Sequence, residues 1–155
     1  MASLNALRRI LDAVLGRLAF APPLLARLVI GVVFTGSGWG KLHNLGQVTQ
    51  YFASLGIPFP ELQAPFVASV ELVCGALVLV GLGTRFVAVP LIGTMVVALL
   101  TALAPKIDGL GSLFGLSEFL YIALLVQLAI GGAGAVSLDH VVARRLGMAG
   151  ASVRG

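Results

Sequence analysis

Glu71 is a carboxylate in a place where carboxylates are rare. It lies inside the apolar run 62–83, and at 1.5 Å of rise per residue it sits roughly 13 Å in from the start of that run, close to the middle of a hydrocarbon layer. An ionised carboxylate at that depth costs on the order of 3 kcal/mol, so Glu71 must face other helices and either keep a proton or hold a partner. Three more polar residues can join it: Lys41, His43 and Glu118. By the same count Lys41 is about 10 Å nearer the outside than Glu71, level with Glu118. Lys41 with Glu118 is therefore the expected direct ion pair, and Glu71 reaches Lys41 through water or, when neutral, bonds Thr35 or Ser37.

Two roles suit this set. Lys41 and His43 can donate to a quinone carbonyl while Glu71 exchanges a proton, so that Lys41, His43, Glu71 and Glu118 form a quinone-head-group or proton site opening outward. Alternatively the same residues are a polar clasp that fixes helix register. Other chemistries are missing their residues. Cys74 is the only thiol, which excludes an intramolecular disulfide and a CxxC redox pair. His43 and His140 fall on opposite sides of a four-span chain and cannot share a haem. No His, Cys or acidic cluster has metal-ligand spacing, no glycine-rich loop is set to hold a phosphate, and no Ser/His/Asp set can assemble. The chain thus carries no catalytic constellation or redox centre of its own and no covalently bound cofactor; quinone is the one cofactor its residues suit.

The elements that must position these groups are transmembrane helices. The 155 residues are 59% hydrophobic and 10% charged, with a mean hydropathy of +1.07, too little polar surface to cover a water-soluble globule. Four continuous apolar runs, near 23–43, 62–83, 86–105 and 116–134, match the roughly 20 residues a helix needs to cross about 30 Å of hydrocarbon. The runs do not alternate, which excludes barrel strands. The expected architecture is all-α: an integral membrane four-helix bundle over 21–140, an interfacial amphipathic helix over 1–20 and a cytoplasmic tail over 141–155. The first 20 residues carry Leu4, Leu7, Leu11, Val14 and Leu18 on one stripe, away from Arg8, Arg9, Asp12 and Arg17. A second amphipathic helix is expected between spans one and two, ending at Gly56 and Pro58.

Charge placement supplies the orientation. Arg8, Arg9, Arg17, Arg27, Arg85, Arg144, Arg145 and Arg154 fall on one side of a four-span chain, and only Lys41 and Lys106 on the other. The arginine side is expected in the cytoplasm, with both termini. The net charge of +4 therefore reports topology and anionic lipid, not a nucleic-acid partner. Arg27 and Arg85, near the inner boundary, read as membrane anchors that snorkel. On span one Arg27, Gly31, Phe34, Gly38 and Lys41 share a face; on span two Ala64, Ala68, Glu71, Gly75 and Val78 do. These faces are expected to meet, with Gly31, Gly38 and Gly75 as packing positions, while Gly36 and Gly40 add a second small-residue packing step.

The residues Arg27-x3-Gly31-x2-Phe34 leading to Gly40-Lys41, then Phe52-x3-Gly56-x-Pro58, Glu71-x3-Gly75, Gly83-Thr84-Arg85 and Gly132-Ala-Gly134-x2-Ser137-Leu138-Asp139 resemble the DoxX family over nearly all of 23–140. The resemblance implies a four-helix protein of the bacterial cytoplasmic (inner) membrane. The family name comes from a subunit linked to a terminal quinol oxidase, and other members resemble parts of membrane oxidoreductase complexes. Arg27, Lys41, Glu71 and Arg85 fall on the family's recurrent polar positions; Ala133 departs from the proline common in its fourth-span motif. The expectation is a membrane subunit of a respiratory-type oxidoreductase system that contacts quinone. Its partners are the lipid bilayer and other membrane or respiratory-complex subunits, or further copies of itself. The alternatives are a structural or assembly subunit and, behind both, a small-solute carrier.

Overall fold

A computed structural model describes residues 11–12 and 15–147. Most of the expected interfacial helix over 1–20 and the end of the tail lie outside the described residues; Leu15 to Leu18 is helical. Every regular element described is a helix: α1 (Ala21–His43), α2 (Leu45–Ser54), α3 (Pro60–Val80), α4 (Thr84–Thr101), a 3-10 turn (Ala104–Lys106), α5 (Leu110–Gly115), α6 (Ser117–Gly131) and α7 (Leu138–Arg145). Among the described residues, three helices are long and apolar enough to cross a membrane: Leu15–His43, Pro60–Val80 and Thr84–Thr101. The fourth apolar run forms α6, whose 15 residues extend only about 22 Å. Before it, the glycine-rich joint folds into α5, because Ser112 Oγ accepts from the backbone N–H of Asp108 and of Gly109 (3.1 Å each) and so caps a helix start.

The four long helices are arranged so that each packs against two others: α1 on α3, α3 on α4, α4 on α6 and α6 on α1. Short joints force antiparallel neighbours. The tightest is Gly81–Gly83, where both glycines adopt positive φ (72° and 61°). A Cβ on Gly81 would also fall 2.5 Å from the Arg27 guanidinium, so this turn needs glycine twice over. A core of Ile30, Phe34, Val78, Leu91, Leu125 and Leu128 runs through the bundle, while Leu25, Val32, Phe86, Val89 and Leu100 point outward, as lipid-facing positions do.

The α1–α3 contact is closest. The faces expected to meet do so: Arg27, Gly31, Phe34 and Gly38 are buried on α1, and Ala64, Ala68, Glu71, Gly75 and Val78 on α3. A Cβ at Gly31 would lie 2.6 Å from Leu79 Cβ, and one at Gly75 would lie 2.7 Å from Thr35 N. Backbone contact of this kind supplies van der Waals attraction where lipid offers no hydrophobic drive to associate. Gly36 and Gly40 differ from the expectation. A Cβ at either would meet no described atom within 4 Å, because they sit about 200° around the helix from Gly38 and face away from α3.

Candidate functional site

The α1–α3 contact sets the site. Gly38 presses on Ala68 and Leu72, and one turn further along each helix stand Lys41 and Glu71. Lys41 Nζ lies 2.5 Å from Glu71 Oε1, and Ser37 Oγ donates to Glu71 Oε2 at 2.8 Å. The Glu71 side chain is 1% exposed and that of Lys41 29%. Glu71 is the one buried carboxylate among the described residues, and both its oxygens are engaged, as a charge in low dielectric requires.

This corrects the expected Lys41–Glu118 pair. The depth count compared Cα positions, whereas the lysine's four-carbon stem reaches inward across a contact that glycine makes unusually close. Glu118 instead accepts from Ser117 Oγ at 3.1 Å. Of the two hydroxyls weighed for Glu71, Ser37 holds it; Thr35 Oγ1 is buried with no partner among the described residues. His43 stands apart. Its Nδ1 is 2.9 Å from Trp39 O and its ring lies 4.4 Å from the Trp39 ring, on the outer side of α1.

Glu71, Lys41 and Ser37 open into a cavity of about 980 Å³ in the half of the bundle distant from Arg27. Its walls are mainly apolar: Val33 and Phe34 of α1, Val67 and Val70 of α3, Val97 and Ala98 of α4, with Tyr121 and Glu118 of α6. Val48, Phe52 and Leu55 of α2 and its stop close one end. Gln63, Thr94, Thr101 and Ser117 are also spread along the lining, but the ion pair is at one point, Lys41–Glu71, the pattern of a site that orients an apolar ligand by its head.

The DoxX family model matches residues 23–104, just over half of the chain. The chain belongs to the DoxX family. It is 34% identical over 121 residues to a Bacillus subtilis protein named "Putative oxidoreductase CatD", covering 77% of this chain and 85% of that one. It is 35% identical over 146 residues to an uncharacterized membrane protein of Mycobacterium tuberculosis, covering 86% and 90%. It is 27% identical over 122 residues to the inner membrane protein YqjF of Escherichia coli, covering 79% and 92%. No solved structure matches.

At the opposite end of this DoxX protein, Arg27 differs from a snorkelling anchor: it is 3% exposed. Its Nε donates to Val78 O (3.0 Å), Nη2 to Leu79 O (2.8 Å), and Nη1 to Ala133 O (3.1 Å) and Val136 O. These carbonyls lie at the end of α3 and in the 132–137 loop, where helical partners run out, although Val78 O also accepts from Gly81 N–H (3.0 Å), and a guanidinium supplies donors in the right fan. Arg85 is exposed and lies beside Gly132, compatible with an anchor. Asp139 accepts from the N–H of Gly83 (2.7 Å) and of Thr84 (3.1 Å) and so caps α4 from α7. The signal was available: an acid follows the Gly-Ala-Gly break, and the α4 start supplies no cap of its own.

Proposed function

We propose that this DoxX protein is the membrane subunit of an oxidoreductase system and that its cavity receives a quinone head group. The observation that carries the reading is the Lys41–Glu71–Ser37 cluster, its carboxylate buried, in the wall of a mainly apolar cavity. Lys41 Nζ, which keeps N–H groups beyond the one given to Glu71, is a donor for a quinone carbonyl, Ser37 Oγ holds Glu71 in place, and Glu71 accepts from a quinol hydroxyl. The residues present fit such a head group: one face supplies donors and an acceptor, and the rest supplies apolar wall. The oxidoreductase name of the Bacillus subtilis relative supports the class. The electrons belong to a partner subunit that carries a redox centre. The bundle sits in the bacterial inner membrane with its arginine end and both termini in the cytoplasm, and the cavity lies in the other half.

Titrating the purified chain with a benzoquinone tests the reading. Wild type should bind both the quinone and its quinol, and Glu71→Gln, which removes the carboxylate but keeps the shape, should bind the quinol about tenfold more weakly, a loss of roughly 1.4 kcal/mol. Absence of binding in both removes the quinone site. The second reading, a structural or assembly subunit, is favoured by the outward-facing Gly36 and Gly40. A chain that binds no quinone yet leaves the membrane in fixed ratio with another membrane protein is the outcome that selects it.

A further inference from the structure

We infer that the quinone enters this site sideways from the bilayer, through a slot between α3 and α4, and that its aliphatic tail stays in the slot while the head rests at Lys41 and Glu71. The inference rests on the quinone reading and adds to it the ligand's class and path.

Helices α3 and α4 are tied together at the Gly81–Gly83 turn, and the cavity lies between their other halves. Its lining runs along α3 from Gln63 to Glu71 and along α4 from Pro90 to Thr101. Several of these lining residues also face outward. Phe66 is 64% exposed and Val97 50%, and Pro90 and Gly93 are exposed as well. Residues that wall an interior space and lie on the outer surface at once mark an opening, and this one is on the sides of helices that are apolar enough to face lipid. Gly93 stands in it: a Cβ there would meet nothing within 4 Å among the described residues.

The chemistry of the slot matches a tail rather than a head. Phe66, Val70 and Val97 have no donor or acceptor side chain, the Thr94 and Thr101 hydroxyls donate to the carbonyls of Leu91 and Val97 in their own helix, Gln63 stands at the start of α3, and the ion pair lies deeper, at Lys41 and Glu71. The volume of about 980 Å³ is near the upper end of the roughly 300–1,000 Å³ that holds a whole drug-sized ligand. A single ring fills only part of it. A long-chain quinone dissolved in the bilayer satisfies both parts, because its tail never has to leave an apolar surrounding.

The test uses the full-length chain in lipid nanodiscs, with displacement of a radiolabelled tail-less benzoquinone as the readout. The competitors are the same tail-less quinone and one with an identical head and a long isoprenoid tail. In wild type the long-tailed quinone should bind about tenfold more tightly. Gly93→Trp, which fills the slot, should abolish that advantage and leave tail-less binding within about twofold. Equal affinities in wild type, or an advantage that survives Gly93→Trp, overturn the slot and leave the head-group site standing. A wild type that binds neither quinone removes the site and the slot together. If Gly93→Trp loses both ligands, Gly93→Leu decides: loss of the tail advantage alone supports the slot, and equal loss of both overturns it.

Discussion

Removing Lys41 and removing Glu71 create different defects. Lys41→Met leaves a carboxylate that is 1% exposed without its counter-charge, a change that costs about 3 kcal/mol or more in buried pairs. Glu71→Gln leaves a lysine that is 29% exposed and can turn its ammonium toward water, keeping the Ser37 contact to an amide; this costs about 1 kcal/mol. Thermal melting in detergent should therefore rank wild type above Glu71→Gln and Glu71→Gln above Lys41→Met, and the reverse order of the two variants would show that the charge on Glu71 is not held by Lys41. The inward direction of Glu71 was legible because its helical face also carries Ala64, Ala68 and Gly75. The identity of its partner was not, because counting rise along a helix says nothing of how far a long side chain leans. His43 has the donor chemistry of the site but not its direction, because two residues turn a helix by about 200° from Lys41.

Helix packing gives the clearest contrast between neighbouring glycines. A methyl on Gly38 would fall 2.7 Å from Ala68 O and 2.8 Å from Leu72 Cα, backbone atoms that cannot swing aside, so Gly38→Ala should destabilise the bundle by about 1–3 kcal/mol. A methyl on Gly40 meets nothing within 4 Å among the described residues, and Gly40→Ala should stabilise α1 by up to about 1 kcal/mol through helix propensity. Opposite shifts in melting temperature are the expected result; a drop at Gly40 would mean that its face is covered in the assembled state. The existence of the long helices could be read from continuous apolar runs of sufficient length, and the amphipathic α2 from its stripe and its Gly56 stop. The shortness of α6 could not, since the run continues past Gly131 in apolar and small residues while the backbone breaks at Gly132, where φ reaches 82°. Composition does not distinguish a glycine inside a helix from one that ends it.

The two ends of the whole bundle are chemically unlike. One gathers Arg27, Arg85, Arg144 and Arg145, the other holds Lys41, Lys106 and the cavity. A reporter fused after residue 155 should therefore read as cytoplasmic, and a periplasmic signal would invert the proposed orientation. The charge pattern was legible as a whole, but Arg27 within it was not: seven other arginines fit an anchoring role, and only the fold reveals that this one serves carbonyls. Its partners lie at very different distances along the chain. Val78 and Leu79 are 51 and 52 positions away, and Ala133 and Val136 are 106 and 109. Translation releases these partners in order. The first hairpin, with its Lys41–Glu71 contact only 30 positions apart, can close while the ribosome is still making the rest. The other two carbonyls that Arg27 holds are made only after α6, so its set of bonds can close no earlier than the loop that follows the fourth helix of the bundle.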